Sequence, residues 1–214
     1  MRYYIADCHF FHEALNREMD HRGFASVEEM NEYMIKRWNE KVRNRDEVVI
    51  LGDLSMGNAE QTNALLDRLQ GKLFLIVGNH DNRYLRSKTF HKERFGWIYP
   101  YAELHDDGRK VVLSHYPIAC YNGQYLKNKK GEPRTYMLYG HVHDSHDERL
   151  IEHYQQMVEK TRIPDRDGGT QSLSSHMINC FCMYSDYQPL SLDEWIADKA
   201  ATYPLPEYGR FIII

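Results

Sequence analysis

Five short patches of this chain, far apart in sequence, carry side chains that bind metal ions. They are Asp7-Cys8-His9, Gly52-Asp53, Gly78-Asn79-His80-Asp81, Ser114-His115-Tyr116-Pro117 and Gly140-His141-Val142-His143. Imidazole and oxygen ligands without thiolate suit Mn, Fe, Zn or Ni and disfavour copper(I). Cys8 lies between two candidate ligands, and we expect it to be buried rather than bound to metal. The residue types therefore predict a site for divalent transition-metal ions.

The patches lie where strands are expected to end. Four of them directly follow apolar runs typical of buried strands, at residues 3–6, 48–51, 73–77 and 111–113, and the fifth follows a shorter run at 136–139. In an open α/β sheet, ligands bind just outside the carboxyl ends of the strands, so we expect the patches to converge. Two Asp, one Asn and four His would be too many ligands for one tetrahedral ion. They suit two ions that share a carboxylate.

The order and spacing of the patches resemble the calcineurin-like metallophosphoesterase superfamily, whose pattern runs D-x-H, G-D, G-N-H-D/E, H and G-H-x-H. The resemblance spans residues 7–143, and the segments 22–39 and 186–194 are similar to small single-domain bacterial and phage members. It implies an α/β fold in which a two-sheet β-sandwich is flanked by helices, in four layers αββα. We expect one such domain over residues 1–214.

The resemblance also implies how the ligands divide between two ions. One ion would take Asp7, His9 and His143, the other would take Asn79, His115 and His141, and Asp53 would bridge them. Mn or Fe is favoured by the resemblance, and Zn or Ni stays open. A hydroxide bridging the two ions would attack phosphorus, in line with the leaving group.

Four further residues receive roles by analogy. His80 would donate a proton to the leaving group or hold the phosphate, and Asp81 would orient His80. His12 and Arg22 stand where small relatives often have a His and an Arg, and either would contact phosphate. A solvated or structural side chain fits His12 and Arg22 equally well.

Three functions compete. The first is a metal-dependent phosphohydrolase, a phosphatase or phosphodiesterase acting on a small phosphorylated substrate. The second is a metal-dependent nuclease, which is not favoured because no added DNA-gripping domain is visible in the sequence. The third is a catalytically silent scaffold of the same fold, and the intact Asn79-His80-Asp81 patch argues against it.

Composition limits the partners. The formal net charge is −4, so bulk charge favours neither nucleic acid nor a membrane. The sequence has no apolar run of about 18 residues and no signal peptide at its start. The four Cys show neither disulfide nor zinc-finger spacing, which predicts reduced core thiols and a cytoplasmic location. The oligomeric state is left open.

Helices and strands are expected to alternate. The helices are predicted at 27–42, where Ser26 and Glu29 form a capping-box pattern, at 59–69, at 147–160 and from Ser191 onward. Strands are predicted at 72–77, 101–105, 110–114 and 176–182, and loops at 121–135 and 161–175. The 121–135 loop is basic and would be solvated or would steer an anionic substrate. The stretch 144–175 would form a partial lid, a dimer contact or a surface excursion.

Overall fold

The computed structural model describes residues 1–165 and 167–202. Its strands are β1 Arg2–Ile5, β2 Glu47–Ile50, β3 Lys72–Ile76, β4 Phe95–Tyr99, β5 Tyr101–Asp106, β6 Arg109–Ser114, β7 Thr135–Tyr139, β8 Arg162–Pro164, β9 Thr170–Ser172 and β10 Met177–Asn179. Its α-helices are α1 Val27–Lys41, α2 Ala59–Arg68, α3 Asn82–Leu85, α4 His146–Lys160 and α5 Leu192–Thr202. A π-helical turn covers Leu15–Met19, and 3₁₀ turns cover Lys92–Arg94 and Cys182–Ser185.

Two four-stranded sheets form the centre of the fold. The first has the order β1-β2-β3-β4 and is parallel throughout. The second has the order β10-β7-β6-β5, in which only β5 is antiparallel to its neighbour. Parallel neighbours bring the carboxyl ends of β1, β2 and β3 to one edge, and those of β6 and β7 to the corresponding edge of the second sheet.

Alternating side chains along β1 show how the layers pack. Tyr3 and Ile5 belong to the apolar cluster that includes the inner faces of α1 and α2, whereas Tyr4 and Ala6 lie in the cluster between the two sheets. On the outer face of the second sheet, residues of β6, β7 and β10 pack with Ile151 of α4. The order helix, sheet, sheet, helix confirms the predicted four-layer α/β architecture.

The helix start predicted at Ser26 is confirmed, but the Glu29 carboxylate accepts the backbone N–H of Ala25 rather than that of Ser26, so that capping box is incomplete. The Ser26 hydroxyl accepts a hydrogen bond from the backbone N–H of Glu29 at the start of α1. Asn58 and Gln61 form a complete capping box at the start of α2. No helix in the described part of the chain is long and apolar enough to cross a membrane.

Several predictions about local structure were wrong. The segment 161–175 contains the hairpin β8–β9 rather than only a loop. The strand predicted at 176–182 ends at Asn179, and Cys182 begins a 3₁₀ turn. All four Cys are free, but Cys120 is exposed rather than in the core. Strand β4 was missed, although its run of aromatic and β-branched residues is a strand signal.

Candidate metal centre

The seven predicted ligands come together at the carboxyl ends of β1, β2, β3, β6 and β7. One Asp53 carboxylate oxygen, Oδ2, lies 3.6 Å from Nε2 of His9 and 3.4 Å from Nε2 of His115. The Asn79 side-chain oxygen lies 2.9 Å from His115 Nε2 and 3.0 Å from His141 Nδ1. On the other side, His143 Nε2 lies 3.8 Å from Asp7 Oδ1.

Two overlapping groups have the spacing of metal ligands. Asp7, His9 and His143 offer ligand atoms within 4.8 Å of one another, as do Asp7, Asp53 and His115. The carboxylate common to both groups is Asp7. Asp53 lies between His9 on one side and His115 on the other, since its Oδ2 is close to both rings.

The backbone of the ligand loops is held in an uncommon conformation. Five of the seven predicted ligands have positive φ: Asp7 (54°), His9 (47°), Asp53 (53°), His141 (74°) and His143 (49°). Residues other than glycine rarely occupy the left-handed region, and such strain collects at functional sites. The loops thus keep a strained backbone conformation that directs the ligand side chains into the site.

Three glycines in the motifs lack a side chain because ligands occupy that space. A Cβ added at Gly78 would lie 2.2 Å from Asp53 Oδ1, and one at Gly140 would lie 2.6 Å from Asp7 Oδ2. At Gly52 it would lie 2.4 Å from His115 Nδ1. The sequence pairs each of these glycines with a ligand because only a bare backbone lets the loops approach so closely.

Burial and mutual contact shift the pKa values of the central groups. Burial raises the pKa of Asp7 to about 6. Burial also opposes ionisation of Asp53, but the hydrogen bond and charge of His115 outweigh it and lower the pKa of Asp53 to about 2. Burial disfavours the charged form of His115, yet Asp53 and Asp7 raise its pKa to about 9. The carboxylates therefore favour a positive charge beside them, which in the metal-free protein is the protonated His115 ring.

His9 provides the test of whether a metal ion fits. The residue is 3% exposed, and within the described chain neither ring nitrogen has a hydrogen-bond partner. Burial lowers its pKa well below the ordinary value, so the ring is neutral and keeps a lone pair. Buried polar atoms without partners are costly, and a cation held with Asp7 and His143 would be a partner for the lone pair of the His9 ring. The residues present fit a metal ion.

His80 is exposed at the mouth of the site, whereas Asp81 is buried beneath it. The His80 side chain is 42% exposed at the mouth of the site, its Nε2 lies 4.0 Å from Asp53 Oδ2, and its backbone N–H donates to Asp53 Oδ1. Asp81 is fully buried and accepts hydrogen bonds from the backbone N–H groups of Asp53, Leu54 and Gly78.

The predicted orienting contact between Asp81 and His80 is therefore corrected. The Asp81 carboxylate also accepts the Tyr84 hydroxyl at 2.7 Å, so both of its oxygens are committed to other groups. Its contacts join the Gly52-Asp53 loop to the Gly78-Asn79 loop. Asp81 fixes the relative position of two ligand loops and does not orient the His80 ring.

His12 and Arg22 differ in whether their side chains border the site. The His12 ring lies 5.6 Å from the His9 ring, and its Nδ1 accepts the backbone N–H of Leu15. Arg22 is 8% exposed, and its guanidinium donates to the backbone oxygens of Cys8 and Asp7. The predicted contact of Arg22 with phosphate does not fit this burial, because Arg22 lies behind the ligand loop. His12 borders the site.

Two residues outside the predicted ligand sets also contact the site. Asp20 accepts a hydrogen bond from Nδ1 of His143 at 2.7 Å. Tyr116 is 49% exposed, and its ring lies 4.5 Å from the ring of His141. Tyr116 follows a predicted ligand, which was a usable signal, but nothing in the spacing of Asp20 pointed to His143.

Comparison with known proteins identifies the family. The family model for the calcineurin-like phosphoesterase superfamily domain matches residues 4–158. The chain belongs to this superfamily of metal-dependent phosphoesterases, as the motif resemblance predicted.

Individual proteins are also similar to this chain. The chain is 35% identical to the uncharacterized protein MJ1445 of Methanocaldococcus jannaschii, over 67% of this chain and 70% of that protein. It is 28% identical to the Gene 66 protein of Mycobacterium phage L5, over 66% of this chain and 76% of that protein. The crystal structure of a protein of unknown function, AQ665 from Aquifex aeolicus, shares the fold, with a TM-score of 0.62 and 22% identity over 91% of this chain and 96% of that one.

Proposed function

We propose that the protein is a two-metal phosphohydrolase that cleaves phosphomonoesters or phosphodiesters of small soluble substrates. The observation that supports this most directly is the position of Asp53, whose Oδ2 is within 3.6 Å of His9 and 3.4 Å of His115. These two imidazoles belong to different predicted ligand sets. A carboxylate between two sets offsets the repulsion between two cations about 3.5–4 Å apart.

The proposed ligand sets follow the division that the family resemblance implies. Asp7, His9 and His143 would hold one ion, Asn79, His115 and His141 the other, and Asp53 both. Mn or Fe is the proposed metal. When bound, such a pair supplies positive charge for phosphate oxygens and lowers the pKa of a coordinated water.

The protein's own groups would then bind and protonate the substrate. His80 is the candidate proton donor, since its exposed ring stands at the mouth while its backbone N–H is fixed to Asp53. His12 borders the same opening, where its ring would contact a phosphate oxygen. Help of this kind from a positioned acid contributes roughly 10²–10⁴ in rate.

A hydrolysis assay tests the proposal. Full-length protein loaded with Mn²⁺ is compared on chromogenic phosphate monoesters, phosphate diesters and single-stranded DNA. We expect turnover of small esters, and we expect His80→Ala to keep two metal equivalents while losing at least a hundredfold in kcat. His91→Ala, which changes an exposed His outside the site, serves as the matched control.

The outcomes separate the competing functions. Preferential cleavage of DNA would favour the nuclease. Failure on every ester with both metals bound would favour a silent scaffold. Unchanged turnover in His80→Ala would remove His80 from the reaction but leave the metal centre standing.

A further inference from the structure

The Nδ1 atoms of the ligand imidazoles have different environments. His115 Nδ1 lies 2.8 Å from the backbone oxygen of Leu51, which leaves Nε2 for the site. His141 turns its Nδ1 toward Asn79 instead. His143 alone among the predicted ligands hydrogen-bonds a carboxylate through Nδ1, at 2.7 Å from Asp20 Oδ1.

Asp20 is itself held rigidly. It follows the π-helical turn, and its Oδ2 accepts two N–H groups of Arg22, at 3.0 Å from Nε and 2.8 Å from Nη2. The side chains of Asp20 and Arg22 are 7% and 0% exposed. Because Arg22 also donates to the backbone oxygens of Asp7 and Cys8, it links Asp20 to the first ligand loop.

The result is a closed set of contacts around one predicted ion. Arg22 donates hydrogen bonds to the backbone oxygen of Asp7 and to the carboxylate of Asp20. Asp20 in turn hydrogen-bonds His143, whose Nε2 lies 3.8 Å from Asp7 Oδ1. Phe181 stacks against the His143 ring at 4.7 Å, which already restricts the plane of the ring. What packing alone does not decide is which nitrogen of that ring has the proton.

We propose that Asp20, held by Arg22, is a positioning residue that keeps the proton of His143 on Nδ1 and so presents the Nε2 lone pair to the ion bound with Asp7 and His9. The inference rests on the proposed metal centre and deepens it, because it predicts that one ion depends on Asp20 more than the other. A carboxylate behind a ligating imidazole typically changes metal affinity 10–100-fold.

Asp20→Asn is the informative variant. Arg22 has only N–H donors, so the introduced amide turns its oxygen toward Arg22 and its NH₂ toward His143. His143 Nδ1 must then accept a hydrogen bond, which moves the ring proton to Nε2 and blocks that atom as a ligand. We expect one of two Mn²⁺ equivalents to bind 10–100-fold more weakly, and the other to change less than threefold.

The experiment is a calorimetric Mn²⁺ titration of the metal-free, full-length protein. Asp67→Asn, which neutralises a side chain that is 69% exposed, is the matched control and should bind like the wild type. Two wild-type equivalents with unchanged binding in Asp20→Asn would overturn the inference and leave the proposed function intact. A wild type that binds no metal would instead defeat the proposed function.

A second measurement keeps the inference testable if the variant does not fold. Long-range ¹H–¹⁵N spectra of the Zn²⁺-loaded wild type report which nitrogen of each His has the proton. We expect a proton on Nδ1 of His143 and the ion on Nε2. The opposite assignment would refute the role of Asp20.

Discussion

Replacing Asp81 distinguishes a residue that holds the loops from one that takes part in the reaction. Its Oδ2 accepts the backbone N–H groups of Asp53 (3.0 Å) and Gly78 (2.7 Å), and its Oδ1 accepts Leu54 N–H (3.0 Å) and the Tyr84 hydroxyl (2.7 Å). Asp81→Ala would leave three backbone donors and one hydroxyl without an acceptor. We expect it to lower the free energy of unfolding by several kcal/mol, since each buried donor left unsatisfied costs about 1–3 kcal/mol.

Asp81→Asn should have a smaller effect. The amide NH₂ is best tolerated in the Oδ1 position, because the Tyr84 hydroxyl can rotate to accept from it. Only the Leu54 N–H then loses its acceptor, at a cost of about 1–3 kcal/mol. Neutralising the group also removes the cost of burying a charge, since burial raises the pKa of Asp81. The order of stability should be wild type, then Asn, then Ala.

The assay is urea denaturation of metal-free protein, because bound metal would add stability of its own. Tyr84→Phe is the control, since it removes one of the four hydrogen bonds and should cost about 1 kcal/mol. A loop-holding role for Asp81 is contradicted if metal-free Asp81→Asn unfolds at the wild-type midpoint yet the metal-loaded variant has lost turnover. That result would return Asp81 to the reaction as a partner of His80.

Three further changes test separate parts of the account. Gly78→Ala should weaken Mn²⁺ binding at least tenfold, because the added Cβ would displace Asp53. The control is Gly96→Ala, whose Cβ would meet the Phe74 ring at 2.3 Å and should destabilise the fold without a selective loss of metal affinity. Equal metal affinities in the two variants would contradict this. Tyr116→Ala should lower kcat/KM for aryl esters about 2–10-fold relative to alkyl esters, since its exposed ring stands beside His141, and equal losses on both esters would argue against ring stacking. Glu148→Gln should abolish a pH dependence of stability that the buried carboxyl group creates.

The direction of the Glu148 effect follows from its burial. Burial raises its pKa from 4.5 to about 7, so the native state keeps a proton that the unfolded state releases between those values. The contribution of Glu148 to the free energy of unfolding should therefore be greatest below pH 4.5. It should fall by about 3 kcal/mol as the pH rises to 7. The measurement is the free energy of unfolding at pH 5 and at pH 8. If it changes by the same amount in the wild type and in Glu148→Gln, the raised pKa of Glu148 is contradicted.

The ligand positions could be read from sequence because each depends on local structure. Asp7, Asp53 and Asn79 come within a few residues of a strand end, and parallel strands of one sheet bring their ends together regardless of loop detail. The motif glycines next to Asp53 and Asn79 permit the close approach of the loops that the structure shows. Pattern and position were therefore sufficient to bring these side chains to one edge of the sheet, and their binding of metal stays a prediction.

The supporting contacts could not be read because they join distant segments. Asp20 meets His143 across 123 residues, and Asp81 meets Asp53 across 28. For Arg22, analogy with small relatives left a phosphate contact and a structural role equally open, and folding placed its guanidinium behind Asp7 in the structural role. Side-chain type alone does not tell which face of a loop a residue will occupy.

The most direct test is anomalous diffraction from crystals of the full-length protein grown with Mn²⁺. We expect two peaks about 3.5–4 Å apart, with Asp53 in contact with both. One peak should be bound by Asp7, His9 and His143, and the other by Asn79, His115 and His141. A single peak, or none with these side chains in the positions described, would contradict the two-metal centre.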